Sequence, residues 1–267
     1  MDFLNYAFMR NALLAICIIT PLFGILGTMI VNNRMAFFSD ALGHSALTGM
    51  AIGVLLGMAG TDVPMLIFAV LFALLLTVMK RKSTASTDTV ISVFSSLGTA
   101  IGLVILSRGG NFSKYSALLV GDILSITTRE ILYLAAALLV VLVFWGVCFN
   151  KLHACSINQS LARSKGIPVR LMEDLFAVLI AVIVMLSIKW VGILLINALL
   201  ILPAAAAANI SSNMREYHLF SVILSAASGL FGLILAYYLN AAAGPMIVIL
   251  AALFFLATLV AKPLFRK

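Results

Sequence analysis

Long runs without a charged residue set the strongest limit on how this chain folds. Residues 11–33 and 217–261 contain no Asp, Glu, Lys or Arg, and several shorter runs follow the same pattern. A helix needs about 20 apolar residues to cross roughly 30 Å of hydrocarbon. The second run is long enough for two helices, with a break at residues 240–245. The spacing predicts an all-α polytopic membrane protein with about nine transmembrane helices, or eight if one segment only enters the bilayer.

Composition and charge agree with a membrane protein. The chain is 64% hydrophobic and 10% charged, whereas soluble domains are about 25% charged. The net charge is +8, but the basic residues form short clusters between apolar runs, which is typical of cytoplasmic membrane loops and not of a nucleic-acid-binding surface. This pattern predicts an outer N-terminus, a cytoplasmic C-terminus and no soluble domain, so residues 1–267 are expected to form a single transmembrane domain.

An ionisable pair lies within the apolar stretch SDALGHSALTG, residues 39–49. Asp40 and His44 are four residues apart and share one face of a helix, so a carboxylate oxygen and an imidazole nitrogen can point at one ion. Zinc and manganese both accept such ligands. In the alternative interpretation, Ser39 or Asp40 caps the helix and His44 is a packed histidine. The other two histidines, His153 and His218, fall in predicted cytoplasmic loops.

Motifs for catalysis are incomplete. Gly43, His44 and Ser45 begin like a G-x-S-x-G nucleophile elbow, but Leu47 stands where the second glycine is needed, and no strand precedes it. The sequence has no H-E-x-x-H and no G-x-x-x-x-G-K-[ST] motif, so ATP would have to be bound by another subunit. We therefore expect a transport subunit and not an enzyme.

A family resemblance spans essentially the whole chain. RMAFFSDALGHSAL (residues 34–47) resembles the R-M-x-x-x-x-D-A-x-x-H segment of ABC-type permeases for zinc, manganese and iron uptake. TDTVISVFSSLGTAIGLVI, LLVGDILSIT and SIKWVGILLINALLILPAAAAANI resemble three further segments of that family in the same order. The resemblance implies a bundle like the permeases of vitamin B12 and siderophore importers. It also implies that Asp40 and His44 are the intramembrane metal ligands.

The resemblance further implies the partners. A homodimer of the permease would work with two ATPase subunits in a bacterial plasma (inner) membrane, and an extracytoplasmic metal-binding protein would deliver the ion. The divalent metal is the transported ion, and no permanently bound cofactor is expected. Oxygen and nitrogen ligands leave zinc, manganese and ferrous iron open. The alternative function is a secondary metal transporter or channel that needs no ATPase.

LARSKGIPV, residues 161–169, resembles the segment that meets the ATPase in such permeases. The residues it implies for this interface are Ala162, Arg163, Lys165, Gly166 and Pro168. Lys165 stands where that family commonly has leucine. A short helix with a Gly-Pro turn is expected here, because such a segment can enter a cleft of a soluble partner. The alternative is an ordinary amphipathic connector.

Three further residues carry weaker signals. Pro203 is expected to kink its helix, because proline removes one backbone hydrogen bond and clashes with the preceding turn. Asp122 is a candidate residue of the ion pathway, since carboxylates at membrane depth usually mark one; the alternative is a cap of a short helix. Asn197 is a second candidate pathway residue.

Overall fold

The fold is entirely helical within the part of the chain that the computed structural model describes, which is residues 6–58, 60–108 and 121–265. Ten α-helices and one 3₁₀ turn, Ile123–Ser125, occur in these ranges, without a strand. In chain order the helices are α1 (Ala7–Asn32), α2 (Ala36–Leu55), α3 (Asp62–Lys82), α4 (Thr87–Arg108), α5 (Thr128–Ile157), α6 (Gln159–Ser164), α7 (Val169–Val191), α8 (Ile193–Ile210), α9 (Met214–Leu239) and α10 (Ala243–Phe265).

Eight of these described helices are long and apolar enough to cross a membrane, and they are all the long helices except α2. The 20 residues of α2 would extend about 30 Å, but they include Asp40, His44 and several small polar residues. Helices suit lipid because they satisfy their backbone hydrogen bonds internally. The predicted all-α membrane fold is confirmed. The predicted break in the last long run is also present, since α9 ends at Leu239 and Asn240 adopts a left-handed conformation with φ 50°.

Helix boundaries follow from side-chain caps and from charge. At the start of α9, Asn213 accepts a hydrogen bond from the backbone N–H of Glu216, and the Glu216 carboxylate accepts one from that of Ser212, both at 2.9 Å. This reciprocal capping satisfies N–H groups that a helix start leaves open. Three basic residues occupy the last turn of α3, where the helix dipole favours positive charge: Lys80, Arg81 and Lys82.

The chain divides into two compact units. Unit 1 contains α1, the 3₁₀ turn, the first half of α5, and α8 to α10. Within it α1 packs against α8 and α9, and α10 packs against α8 and α9. The hydroxyl of Ser221 in α9 donates to the carbonyl of Gly24 in α1 at 2.7 Å, which requires the two helices to approach closely.

Unit 2 contains α2, α3, α4, the second half of α5, α6 and nearly all of α7. Helix α2 is its central element, because it packs against both α3 and α4. Large apolar side chains of α3 and α4 that do not contact α2 remain exposed, as on a lipid-facing surface; Leu71 and Val104 are both 61% exposed.

The polar stretch over residues 150–170, which the basic residues predict to be a cytoplasmic loop containing one short helix, is mostly helical. Helix α5 extends to Ile157, and α6 and the start of α7 occupy most of the remainder. At 30 residues, α5 is about 45 Å long, which is more than the hydrocarbon layer requires. Its last turns therefore carry polar residues without ending the helix. His153 accordingly lies in α5, and His218 lies in α9, so the expectation that both are in loops was wrong.

Candidate metal site

Asp40 and His44 are the accessible positions in the central, buried part of α2. In residues 38–51 of α2 every side chain is buried except these two. The helix is rich in Ala, Gly and Ser, and these small residues let neighbouring helices cover nearly all of its surface. Bulky side chains on every face of α2 would keep the neighbouring helices too far away to cover it. As a result, the accessible side chains in residues 38–51 are the two that are able to bind a metal, Asp40 and His44.

The pair has the geometry that the spacing predicts. Nε2 of His44 lies 3.5 Å from Oδ1 of Asp40, and the side chains are 40% and 42% exposed respectively. Asp40 lies one turn inside α2, whose N-cap is Met35, so Asp40 does not cap the helix. Ser39 does not cap it either, since its hydroxyl donates to the carbonyl of Ala36 at 3.2 Å. The capping alternative therefore does not describe this helix.

The pair alone is an incomplete metal site. Within the described residues no group of three or more His, Cys, Asp or Glu side chains is close enough to hold an ion. Tetrahedral zinc normally takes four ligands, and manganese takes more. Within those residues, one copy of the chain could therefore offer an ion two side-chain ligands at this position, Asp40 and His44.

Helix α4 holds α2 on one side through two glycines. The Thr48 hydroxyl donates a hydrogen bond to the carbonyl of Gly98. One turn further along, a Cβ on Gly102 would lie 2.7 Å from the backbone nitrogen of Thr48. Only glycine fits such an approach, because real Cβ atoms do not come this close to a backbone. The contact fixes α2 one turn after His44, so it also fixes the orientation of the ionisable pair.

Helix α3 holds α2 on another side in the same way. A Cβ on Gly49 would lie 2.9 Å from the Cα of Met65, and one on Gly53 would lie 2.6 Å from the ring of Pro64. The segment TDTVISVFSSLGTAIGLVI, which includes Gly98 and Gly102, contributes α4. Its glycines were visible in the sequence, but their partner helix was not, since nothing local indicates which helix a glycine faces.

The segment expected to face an ATPase forms a short helix and a glycine turn. Helix α6 is capped by Asn158, which accepts from the Leu161 N–H at 3.0 Å. It ends where Gly166 adopts φ 75°, with the Gly166 N–H donating to the carbonyl of Arg163 at 2.9 Å. The expected short helix with a Gly-Pro turn is therefore present. Four of the five interface candidates are exposed, namely Arg163, Lys165, Gly166 and Pro168. Ala162 is 1% exposed, so it lies on the buried side of α6.

The remaining candidates lie in unit 1. Helix α8 continues through Pro203, which is buried, and Asn197 lies in the same helix. Asp122 is exposed and caps the 3₁₀ turn by accepting from the Leu124 N–H at 3.2 Å. This hydrogen bond corresponds to the alternative in which Asp122 caps a short helical segment. The semi-polar stretch over residues 111–130 is expected to form a short helix or a re-entrant segment. Residues 111–120 lie outside the described residues, and residues 121–130 contain the 3₁₀ turn and the start of α5.

Sequence reasoning missed one contact in unit 1. Gly121 and Gly192, both with positive φ of 69° and 78°, touch backbone to backbone, so a Cβ on Gly121 has no space. The contact joins the 3₁₀ turn to the start of α8. Beside it lies a cavity of about 120 Å³, whose lining includes Asp122 and Leu195. Both glycines stand within segments quoted above for the family resemblance, which was the available signal.

These features define a multi-pass helical membrane protein that carries an ionisable pair on a largely buried helix. Residues 5–262 match the ABC 3 transport family. The manganese import system permease protein ScaB of Streptococcus parasanguinis is 29% identical over 263 residues, covering 98% of this chain and 94% of that protein. The high-affinity zinc uptake system membrane protein ZnuB of Haemophilus influenzae is 29% identical over 235 residues, covering 88% and 90%.

A solved structure agrees with these relatives. PsaBC from Streptococcus pneumoniae in complex with Fab matches with a TM-score of 0.83 and 28% identity, covering 96% of this chain and 94% of that one. The chain belongs to the ABC 3 transport family, and the resemblance found in its sequence is confirmed.

Proposed function

We propose that this chain is the membrane permease subunit of an ATP-driven importer for a divalent transition metal, with manganese and zinc as the first candidates and ferrous iron also open. The observation that carries the proposal is the placement of Asp40 and His44 as the accessible positions of residues 38–51 in α2. Ionisable side chains in apolar surroundings are costly and usually functional. The names of the similar proteins, a manganese and a zinc permease, support the choice of metal.

In the proposed mechanism, the site is completed by a second copy of the chain. Two Asp–His pairs that face each other across a dimer axis supply four ligands, which replace much of the hydration shell of the ion. Ligands on separate subunits separate when the dimer changes state, and the ion is then released. Such a site satisfies the requirement that binding is strong enough to admit an ion and weak enough to let it leave.

In this proposal, two ATPase subunits bind at α6, and their hydrolysis of ATP drives transport. Arg163 and Lys165 present two positive charges on an exposed turn, and Gly166 and Pro168 shape that turn. Ala162, buried beneath, keeps α6 against its own unit. We place this face in the cytoplasm of a bacterial plasma membrane because basic residues favour that side. A metal-binding protein outside the membrane would then supply the ion.

Three residues have lesser parts in this proposal. Pro203 would weaken α8 at one point, so that the helix can bend during the transport cycle. Asn197, on the same helix, and Asp122, at the 3₁₀ turn, stay candidate pathway residues. Replacement of Asp122 by Asn would separate its two interpretations, because a cap tolerates Asn, whereas an ion pathway loses a charge.

Reconstitution tests the proposed function. The permease is co-expressed with the ATPase encoded beside it, purified, and placed in liposomes with the metal-binding protein. We expect the ATPase to co-purify and Mn²⁺ or Zn²⁺ uptake to require ATP. A permease that purifies alone and moves the metal equally well without ATP would instead be a secondary transporter or channel, and the proposal would be wrong.

A further inference from the structure

A cluster of four side chains joins three helices of unit 2. Arg81 lies in the last turn of α3, and its guanidinium donates a hydrogen bond to Oδ1 of Asp174 in α7. The Arg81 Nε also lies 3.7 Å from Oε2 of Glu173, the preceding residue. The second carboxylate oxygen of Glu173 accepts a hydrogen bond at 2.8 Å from the side-chain amide of Gln159, the first residue of α6. One arginine is therefore linked to both α6 and α7.

The charged side chains of the cluster are partly shielded from water. The side chains of Arg81, Glu173 and Asp174 retain only 25%, 22% and 32% of their accessible surface. Exposed pairs are screened by water and contribute little, whereas partly buried ones interact more strongly. A planar guanidinium also holds several N–H donors in a fixed arrangement, so Arg81 donates to Asp174 through one nitrogen while its Nε donates to the carbonyl of Thr77 at 3.2 Å. The adjacent Lys82 makes no ion pair within the described residues, so position on α3 alone does not explain the contacts of Arg81.

The position of the cluster relates it to transport. Gln159 and Glu173 stand on either side of the exposed turn that carries Arg163 and Lys165, and their hydrogen bond closes this segment into a loop. Arg81 fastens the closed loop to α3. Helix α3 in turn packs tightly on α2 at Gly49 and Gly53. A continuous series of contacts within unit 2 thus leads from the ATPase-facing segment to the helix that carries Asp40 and His44.

We propose that Arg81 is a positioning residue that couples ATPase movement to the metal site: it fastens the α6–α7 segment to α3, so that a displacement of α6 also displaces α3 and α2. The inference rests on the proposed function, because it takes α6 as the ATPase contact. Without the arginine, the α6–α7 segment is free to move while α3 stays in place. ATP hydrolysis then continues, but it moves fewer ions.

The test measures the number of metal ions imported per ATP hydrolysed by the reconstituted complex. For Arg81→Gln we expect normal co-purification with the ATPase, hydrolysis near the wild-type rate, and roughly 10-fold fewer ions per ATP, within the range of coupling changes caused by residues that touch neither ligand. Lys82→Gln removes a neighbouring positive charge outside the cluster and should keep the wild-type ratio. Combining Arg81→Asp with Asp174→Arg should restore much of the ratio that Asp174→Arg alone loses.

The outcomes separate this inference from the proposed function. An Arg81→Gln complex with the wild-type ratio, or an equal loss in Lys82→Gln, overturns the coupling role. If Arg81→Gln does not accumulate in the membrane, the exchanged pair decides: recovery of the ratio supports the role, and a folded but uncoupled exchanged protein overturns it. Failure of the wild-type permease to bind any ATPase would contradict the proposed function itself.

Discussion

Asp40 and His44 owe their exposure to the small size of the residues around them. Ala, Gly, Ser and Thr occupy eight of the other twelve positions of residues 38–51 and let α3 and α4 cover α2, and the pair remains on the uncovered stripe. A carboxylate and an imidazole 3.5 Å apart can share one ion when both are deprotonated. The protonation state of His44 is therefore part of the transport chemistry.

Acidification tests this role of His44. A protonated imidazole cannot ligate a metal, so uptake by the wild-type complex should fall as the pH is lowered. In His44→Glu we expect slower uptake whose decline begins at a lower pH, because a carboxyl group stays ionised to lower pH than an imidazole. Uptake is measured from pH 8 to about pH 5, with ATP hydrolysis as the control. Identical normalised profiles for both proteins would show that His44 does not titrate in the transport cycle.

At the scale of single residues, the sequence predicted contacts between residues that are close together in the chain. The i, i+4 spacing of Asp40 and His44 indicated a shared face, and the structure has it. The cluster at Arg81 was beyond prediction, because 93 positions separate Arg81 from Asp174 and nothing in either local sequence names its partner. The contact of Gly121 with Gly192 was missed for the same reason.

Helix α2 is positioned by glycines on its neighbours as well as by its own. Two of them lie one turn apart on α4 and face α2 at different distances. A Cβ on Gly98 would meet the Cβ of Ser45 at 3.5 Å, an ordinary contact, whereas one on Gly102 would lie 2.7 Å from the nitrogen of Thr48. Gly98 and Gly102 can therefore be compared directly, because both lie on α4, both face α2 and both can be replaced by alanine.

Gly102→Ala should therefore destabilise the protein, and Gly98→Ala should not. Forcing one methyl group into a packed contact typically costs about 1–3 kcal/mol, while the higher helix propensity of alanine offsets less than about 1 kcal/mol. We expect a lower Tm for the purified Gly102→Ala protein in detergent and an unchanged or higher Tm for Gly98→Ala. Equal Tm values would mean that α4 does not approach α2 as closely as the structure has it.

Pro203→Ala tests a different property of an element. The substitution restores a backbone hydrogen bond in α8, and a helix with all its bonds remains stable in lipid. We expect normal membrane insertion and slower uptake, measured as the initial rate per permease in the membrane. Uptake at the wild-type rate would mean that bending at Pro203 has no part in transport.

Most helix positions were predictable, because charged residues mark where apolar runs end. The exception was the stretch over residues 150–170, where polar side chains were interpreted as a loop and the backbone is largely helical. Polarity identifies segments outside the bilayer, but it does not distinguish a loop from the projecting end of a long helix such as α5. The short helix α6 was expected from its Gly-Pro turn, a local signal.

At the scale of the whole molecule, the two sides of the membrane are expected to present different partners to the permease. Basic residues at the exposed end of α6, Arg163 in its last turn and Lys165 just after it, would meet the ATPase on the cytoplasmic side. Exposed basic residues elsewhere, Arg108 at the end of α4 and Arg129 at the start of α5, fall on the predicted outer side. The length and order of the apolar runs predicted the bundle, but a single chain cannot reveal which exposed residues a second protein covers.

Charge reversal at the turn tests the ATPase assignment. The double variant Arg163→Glu with Lys165→Glu replaces two positive charges by two negative ones and should reduce the ATPase that co-purifies by at least several-fold. The matched control, Arg108→Glu with Arg129→Glu, makes the same charge change on the predicted outer side and should leave assembly intact. If the first double variant purifies with a full complement of ATPase and normal metal-stimulated hydrolysis, this turn is not the contact.

The most direct test of the whole account is ATP-driven uptake of Mn²⁺ or Zn²⁺ by the reconstituted complexes of Asp40→Asn and His44→Ala. Each variant removes one proposed ligand of the ion while keeping a side chain that fits the accessible stripe of α2. We expect both variants to lose uptake, while expression and ATPase assembly stay near the wild-type level. Transport at the wild-type rate by either variant would contradict this expectation, because the ion would then cross the membrane without the pair.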